Sequence, residues 1–148
     1  MTTNNSKDIL VSTDKSLLPI DVIHQFLSKE AYWCLEIPRD TLLKSIENSM
    51  SFGIYYQNQF AGFARVITDQ TTFGYICDVF VLPEFRGKGL SKILMNEIMS
   101  HPQLQGFRRW SLATKDAHQL YEKFEFKPLA DPGKWMEKHK MNIYKQEQ

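Results

Sequence analysis

The spacing of apolar residues changes along the chain and predicts helices first and strands afterwards. Between residues 16 and 30, and again between about 40 and 48, apolar side chains recur at the spacing of one helical face. From residue 51 the period becomes two, which is typical of half-buried strands. The strands predicted here are residues 52–56, 60–68 and 73–82, with a hairpin connection at 57–59. A β-branched run at residues 9–11 predicts a short edge strand before them.

The last third of the chain alternates between the two patterns. One apolar helical face predicts a helix over residues 90–99, which His101-Pro102 ends. A strand at 110–113, a short helix at 115–123, a strand at 124–129 and a last edge strand in the C-terminal tail follow. The order β-α-α-β-β-β-α-β-α-β predicts an α+β (mixed α/β) fold, in which helices cover the faces of a mixed sheet.

Composition places the chain among ordinary globular proteins. Of its 148 residues, 43% are apolar and 24% are charged, and the formal net charge of +1 predicts neither a nucleic-acid nor a membrane partner. The polar first residues do not predict a signal peptide, and no apolar run approaches the roughly 20 residues of a membrane span, so the predicted location is the cytoplasm. Residues 1–7 are predicted to be disordered and residues 8–148 to form a single domain.

The two cysteines narrow the chemistry further. Cys34 and Cys77 both lie in apolar contexts, which predicts buried free thiols in a reducing compartment. No disulfide framework and no metal site is predicted from them.

The candidate chemistry begins where a predicted strand runs through a short glycine turn into a helix. Backbone N–H groups at a helix start are unpaired and the helix dipole adds to them, so such a turn can bind an anion. Gly87 and Gly89 would let the backbone approach a phosphate. Three cationic side chains lie beside them: Arg86, Lys88 and Lys92. On the glycines alone, a plain strand-to-helix turn with solvated lysines is an equal alternative.

This turn resembles the pyrophosphate loop of the GNAT superfamily of N-acetyltransferases. The family motif is Gln/Arg-x-x-Gly-x-Gly/Ala, and the chain reads Arg86-Gly87-Lys88-Gly89-Leu90-Ser91. The preceding Val81-Leu82-Pro83-Glu84-Phe85 also matches the usual approach to the loop. Ser91 departs from the motif, but serine is small and its backbone N–H can still face a phosphate.

A second signature lies about 30 residues downstream. Residues 112–126 are similar to the family segment that ends in Tyr-Glu-Lys-x-Gly-Phe, with Glu125 in place of the glycine. Two signatures in the right order are more specific than either one alone. The resemblance covers roughly residues 8–130, and on it the chain is identified as a member of the superfamily.

The resemblance implies a fold and a reaction. The fold is a central mixed, mostly antiparallel twisted sheet of roughly six to seven strands flanked by about four helices. The reaction is transfer of an acetyl group from acetyl-CoA, as co-substrate, to the primary amine of a small-molecule acceptor by direct attack in a ternary complex, without a metal. Homodimers are common in the family, so a homodimer is one expected assembly.

The resemblance also assigns roles to residues. The backbone N–H groups of residues 87–92 hold the diphosphate, and the free backbone of the preceding strand pairs with the pantetheine arm. Tyr121 matches the tyrosine that protonates the departing thiolate, whereas from the helical pattern alone it is a core residue. The predicted cofactor-binding residues are Val79, Phe80, Val81, Arg86, Gly87, Lys88, Gly89, Leu90, Ser91 and Lys92.

The general base is less well defined by the pattern. Many family members carry a glutamate four residues before the valine that matches Val81, and this chain has Cys77 there. Asp78 is the only carboxylate in the strand, and it would be costly to bury unpaired. It is the candidate base, with two alternatives left open: a structural salt bridge from Asp78 to Arg65, and a water chain that takes the proton. Nothing adjacent in sequence would make Cys77 a thiolate nucleophile.

The acceptor is expected opposite the loop, between the first two helices and the early strands. Tyr32 and Trp33 lie in the stretch that interrupts the helical pattern, where they either line a pocket or pack. Arg39 and Arg65 are candidates to clamp a carboxylate of the acceptor. Tyr55 is a further candidate.

Two other classes of function compete with the enzyme. An acyl-CoA sensor or a catalytically weak relative is motivated by Ser91, Glu125 and Cys77, which all depart from the family pattern. A nucleic-acid binder would use the basic side chains of the loop with Arg108 and Arg109, but the net charge of +1 and the lack of a nucleic-acid motif argue against it.

Overall fold

The structure, a computed structural model, describes residues 8–145. Its centre is a five-stranded sheet in which the strands follow one another in chain order. The strands are β1 (Ile9–Ser12), β2 (Met50–Tyr56), β3 (Gln59–Thr68), β4 (Phe73–Val81) and β5 (Arg109–Leu112). The first four are antiparallel to their neighbours, and β5 runs parallel to β4. The disorder predicted for residues 1–7 lies outside the described residues.

Four α-helices cover the sheet in two groups. They are α1 (Ile20–Lys29), α2 (Arg39–Glu47), α3 (Leu90–Ser100) and α4 (His118–Glu122). Apolar residues of α1 and α2 share one core cluster with Phe63 and Phe80 of the sheet, whereas α3 and α4 contribute to a second cluster with Phe52, Ile54 and Val66. The strands therefore present alternate residues to two cores, as the period of two requires. None of the helices within residues 8–145 has the length and apolar content needed to cross a membrane.

The hairpin between β2 and β3 is tighter than the predicted connection. Tyr56 pairs with Gln59, so the turn consists of Gln57 and Asn58 alone. Both residues have positive φ, at 50° and 64°, which is the conformation of a type I′ turn. This turn matches the strand twist and aligns β3 with β2.

A bulge in β4 positions the candidate site. Arg65 pairs with Cys77 and Phe63 pairs with Phe80, so the single residue Ala64 faces the two residues 78 and 79. Asp78 takes a φ of +55° there. On the other side, β5 pairs only with Phe73–Ile76, and β4 continues without it. The strand thus parts from its parallel neighbour just before the glycine loop.

The mixed, mostly antiparallel fold is confirmed, but the strand number is lower than predicted. The strands predicted at 124–129 and in the tail are wrong, because the described residues after α4 form no strand. The N–H of Phe126 bonds back to the carbonyl of Tyr121, and Glu125 takes a φ of +70°. This is a left-handed helix end, a conformation that favours glycine and that Glu125 adopts here. Pro128, which lacks an N–H, further disfavours a strand.

Two helices are shorter than their apolar patterns predicted. The first, expected over 16–30, is divided at Pro19 into a 3-10 turn at Lys15–Leu17 and α1. The fourth, expected over 115–123, begins only at His118, because Thr114 Oγ1 accepts the N–H of Ala117 at 3.0 Å and shapes a turn before it.

Candidate active site

The glycine loop presents unpaired backbone N–H groups at the start of α3. Gly87 and Gly89 have φ angles of +80° and +75°, which favour glycine. Gly89 is the residue that precedes the helix, and no side chain caps it. Within residues 8–145, no protein group accepts a hydrogen bond from the N–H groups of residues 87–92. Free donors and the helix dipole therefore converge where an anion can bind.

Two cationic side chains of the loop make contacts within the protein that fix the shape of the loop. Arg86 Nε donates to the carbonyl of Val81 at 3.0 Å and ties the loop to the end of β4. Lys88 Nζ lies 5.0 Å from the ring centroid of Tyr56. A cavity of about 250 Å³ adjoins the loop, and its walls are Val81, Phe85, Arg86, Gly87, Gly89, Leu90 and Ser91. All of these except Phe85 were predicted as cofactor-binding residues.

The end of β4 combines buried side chains with a free backbone edge. Phe80 and Val81 are buried, and the Phe80 ring stacks on Phe26 of α1 with centroids 4.1 Å apart. Because β5 pairs with β4 only as far as Ile76, the β5-side edge of residues 77–81 has no strand partner among the described residues. The residues predicted to pair with a pantetheine arm, Val79, Phe80 and Val81, lie on this edge.

Tyr121, on α4, is a buried and protonated tyrosine. It is only 7% exposed, and burial raises its pKa to about 12. Its hydroxyl has no hydrogen-bond partner within residues 8–145. The phenol thus stays protonated at neutral pH and is free to donate to a ligand.

A larger cavity, of about 570 Å³, lies beside β5 and includes Tyr121 in its wall. Six aromatic rings line the wall, and Glu122, Glu137 and Lys127 add charged groups. The aromatic wall residues are Phe73, Tyr75, Trp110, Tyr121, Phe126 and Trp135. Apart from Tyr121, the sequence reasoning did not single them out; the available signal was the period of two that puts Phe73 and Tyr75 on one face of β4.

Asp78 is engaged by two partners from distant parts of the chain. Its side chain is 8% exposed, Trp33 Nε1 donates to Oδ1 at 2.7 Å, and Arg65 Nε donates to Oδ2 at 2.9 Å. The salt bridge to Arg65 that the sequence left as an alternative is therefore present. Each carboxylate oxygen keeps a further lone pair, so the pairing does not exclude proton transfer.

Of the other residues predicted to bind the acceptor, one lies beside Trp33 and two make contacts elsewhere. The Tyr32 ring meets Trp33 edge-on at 5.0 Å, and Lys115 Nζ lies 5.4 Å from the Tyr32 centroid, near the start of α4. Arg39 instead pairs with Asp21 at 2.9 Å on the exposed surface of the first two helices. The hydroxyl of Tyr55 donates to the carbonyl of Leu17 at 3.2 Å. The structure thus brings Trp33, Arg65 and Asp78 together, and their contacts include neither Arg39 nor Tyr55.

The two cysteines are protonated thiols. Burial, with a smaller effect of the Asp78 charge, raises the pKa of both Cys34 and Cys77 to about 12. A thiolate nucleophile at neutral pH is therefore disfavoured at both positions.

A mixed sheet whose fourth strand leaves the fifth and enters an uncapped glycine loop defines the class of this protein. The fold is that of the GNAT acetyltransferases. The model of the acetyltransferase (GNAT) family matches residues 20–126. The chain belongs to this family.

Individual relatives agree with the family assignment. A protein of Gibberella zeae with a provisional acetyltransferase name is 34% identical over an alignment of 139 residues, which covers 78% of this chain and 77% of that protein. A crystal structure of a GNAT-family protein from Xanthomonas campestris pv. campestris is 47% identical with a TM-score of 0.91, covering 93% of this chain and 97% of the other. N-acetylglutamate synthase from Neisseria gonorrhoeae, solved with coenzyme A and L-arginine, shares the fold at 15% identity and a TM-score of 0.67, covering 85% of this chain and 29% of that one.

Proposed function

We propose that this chain transfers the acetyl group of acetyl-CoA to the primary amine of a small molecule, by direct attack in a ternary complex. The observation that carries the proposal is the set of unpaired N–H groups at residues 87–92, directly after the unpaired edge of β4. An anion site continuous with a free strand edge fits a diphosphate joined to an amide-bearing arm.

The residues present fit acetyl-CoA in three places. The N–H groups of 87–92 would hold the diphosphate, and the positions of Gly87 and Gly89 leave open space, with no heavy atom within 4 Å of an added Cβ. The free backbone of residues 79–81 would bind the pantetheine amides as a strand does. Arg86 would keep loop and strand in register through its bond to Val81. When bound, acetyl-CoA supplies an activated thioester.

Proton transfer is assigned to two residues of the site. The amine nitrogen bonds to the acetyl carbon as the carbon–sulfur bond breaks, so the nitrogen loses a proton and the sulfur gains one. Tyr121, whose phenol is protonated at neutral pH, donates to the sulfur. Asp78 is the candidate acceptor of the amine proton, directly or through water, and a water chain alone is the alternative.

The larger cavity supports a small amine as the acceptor. Its volume of about 570 Å³ lies within the usual range of about 300–1,000 Å³ for small-molecule sites. Six aromatic rings with Glu122 and Glu137, which outnumber the one lysine of the wall, Lys127, suit a cation with an apolar body. Arg65, Trp33 and Tyr32, which lie around Asp78 and are not in the wall of this cavity, are proposed as further contacts of the acceptor.

Release of free thiol from acetyl-CoA, measured with a panel of small amines, tests the proposal. We expect turnover with at least one amine, and Tyr121→Phe should lower kcat by at least about 100-fold without weakening acetyl-CoA binding. Tyr144→Phe is the control, because Tyr144 packs against the core formed by α1 and α2. If acetyl-CoA binds but no amine supports turnover, and Tyr121→Phe changes nothing, the chain is an acyl-CoA sensor instead.

A homodimer is a further part of the proposal. Three apolar side chains of the C-terminal segment are exposed, Met136 at 96%, Met141 at 76% and Ile143 at 59%. Exposed apolar residues concentrated in one segment favour self-association. Light scattering after size exclusion should give twice the chain mass, and Met136→Lys should restore the monomer.

A further inference from the structure

Asp78 adopts a backbone conformation that its residue type disfavours. Its φ of +55° places it in the left-handed region in the middle of β4, at the point where two residues face Ala64. Aspartate tolerates this region better than most residues but does not prefer it. Such a conformation persists only when the surroundings enforce it.

Two side chains from separate elements provide that enforcement. Trp33, in the connection between α1 and α2, and Arg65, on β3, each donate a hydrogen bond to a different oxygen of Asp78. Arg65 is anchored in turn, because its Nη1 lies 3.4 Å from Ser49 Oγ. Asp78 is nearly buried, so these charge-assisted bonds are poorly replaced by water.

We propose that Trp33, Asp78 and Arg65 form a clamp that fixes the bulge of β4 and thereby aims the backbone of residues 79–81 at the cofactor. The three are positioning residues in this role, acting through the strand rather than by contact with the reacting atoms. The inference rests on the proposed function only in taking coenzyme A as the ligand. It holds whether or not Asp78 also receives the amine proton.

Substitutions at Asp78 separate the backbone conformation from the carboxylate. Glycine accepts the positive φ without a side chain, alanine resists it, and asparagine both tolerates it and keeps one acceptor oxygen. We expect the affinity for coenzyme A to decrease in the order wild type, Asp78→Asn, Asp78→Gly, Asp78→Ala. Asp78→Ala should bind at least about tenfold more weakly than wild type. If the carboxylate served only as a base, coenzyme A binding would be equal in all four proteins.

The experiment is titration calorimetry of the four proteins with coenzyme A and no acceptor present. Equal losses in Asp78→Gly and Asp78→Ala would overturn the inference, because φ would then not matter. Wild type that fails to bind coenzyme A would overturn the proposed function and this inference with it, whereas wild type that binds while all variants match it overturns the inference alone.

Trp33→Phe provides a second test should Asp78→Ala fail to fold. It keeps an aromatic ring but removes the N–H, and we expect about a tenfold weaker affinity for coenzyme A. Unchanged affinity contradicts the clamp. Gly106→Ala is the stability control, because Gly106, with φ +81°, lies in the connection between α3 and β5 and its Cβ would meet open space. It should lower the melting temperature without changing the affinity.

Discussion

Replacing Gly89 by alanine should have two separable effects: a loss of stability, because alanine disfavours the left-handed conformation, and a loss of affinity for coenzyme A, because the anion site is disturbed. The φ of Gly89 is +75°, and a Cβ added there meets no heavy atom within 4 Å, so the substitution creates no clash. Its direct cost is the left-handed conformation of an alanine, about 1–2 kcal/mol. For a chain of this size, that loss corresponds to a melting temperature lower by about 2–8 °C.

The effect on coenzyme A should exceed the effect on stability. If the backbone relaxes at Gly89, the N–H groups that start α3 turn away from a common point. A hydrogen bond to a charged group contributes about 1.5–3 kcal/mol, so the loss of one predicts an affinity roughly 10- to 150-fold weaker. The assays are titration calorimetry with coenzyme A and thermal unfolding.

Gly106→Ala is the matched control for this comparison. Gly106 has a φ of +81° and equally open surroundings, but it lies outside the loop. Both variants should lose similar stability, and only Gly89→Ala should lose affinity. Unchanged affinity in Gly89→Ala, or an equal loss in both variants, would refute the assignment of the loop as the anion site.

Two further predictions concern the side chain of Arg86 in the loop and the buried phenol of Tyr121. Arg86→Ala removes the 3.0 Å bond to Val81 and should weaken coenzyme A binding several-fold, while Arg108→Ala, an exposed cation elsewhere, should leave it unchanged. Calorimetry distinguishes the two. Alkaline pH should destabilise the fold, because the folded pKa of Tyr121, about 12, lies above the usual 10. Its stabilising contribution is present below pH 10 and is lost as pH rises through about 12, by about 2–3 kcal/mol. The free energy of unfolding, measured with denaturant between pH 8 and 11.5, should therefore fall less steeply with pH in Tyr121→Phe than in wild type. Identical slopes in the two proteins would contradict the burial effect.

The part of the site that is local in sequence could be predicted from it. The strand, the two glycines and the following helix are consecutive, and their order alone implies unpaired N–H groups at the helix start. Glycine at positions 87 and 89 also permits the positive φ that both residues adopt. Tyr121 could be placed because a second local signature surrounds it.

Contacts between distant segments could not be predicted in the same way. Trp33 and Asp78 are 45 positions apart, and neither the helical nor the strand period indicates that an indole N–H reaches that carboxylate. The bulge depends on one extra residue in β4, which shifts the alternation without changing the composition. Arg39 was a candidate to bind the acceptor, but the sequence pattern does not show that it pairs with the surface residue Asp21 instead.

The strands predicted after α4 show how a pattern of apolar residues can mislead. Phe124 and Phe126 have the two-residue spacing of a strand, and Leu129 adds an apolar residue three positions later. The hydrogen bond from Phe126 to Tyr121 and the positive φ of Glu125 instead use this stretch to end a helix. Tertiary and capping interactions override the propensity.

A crystal structure of the complex with coenzyme A tests the central claim most directly. The account predicts the diphosphate on the N–H groups of residues 87–92, the pantetheine arm along residues 79–81, and the thiol within hydrogen-bonding distance of the Tyr121 hydroxyl. A diphosphate bound away from this loop, or a thiol remote from Tyr121, would contradict it.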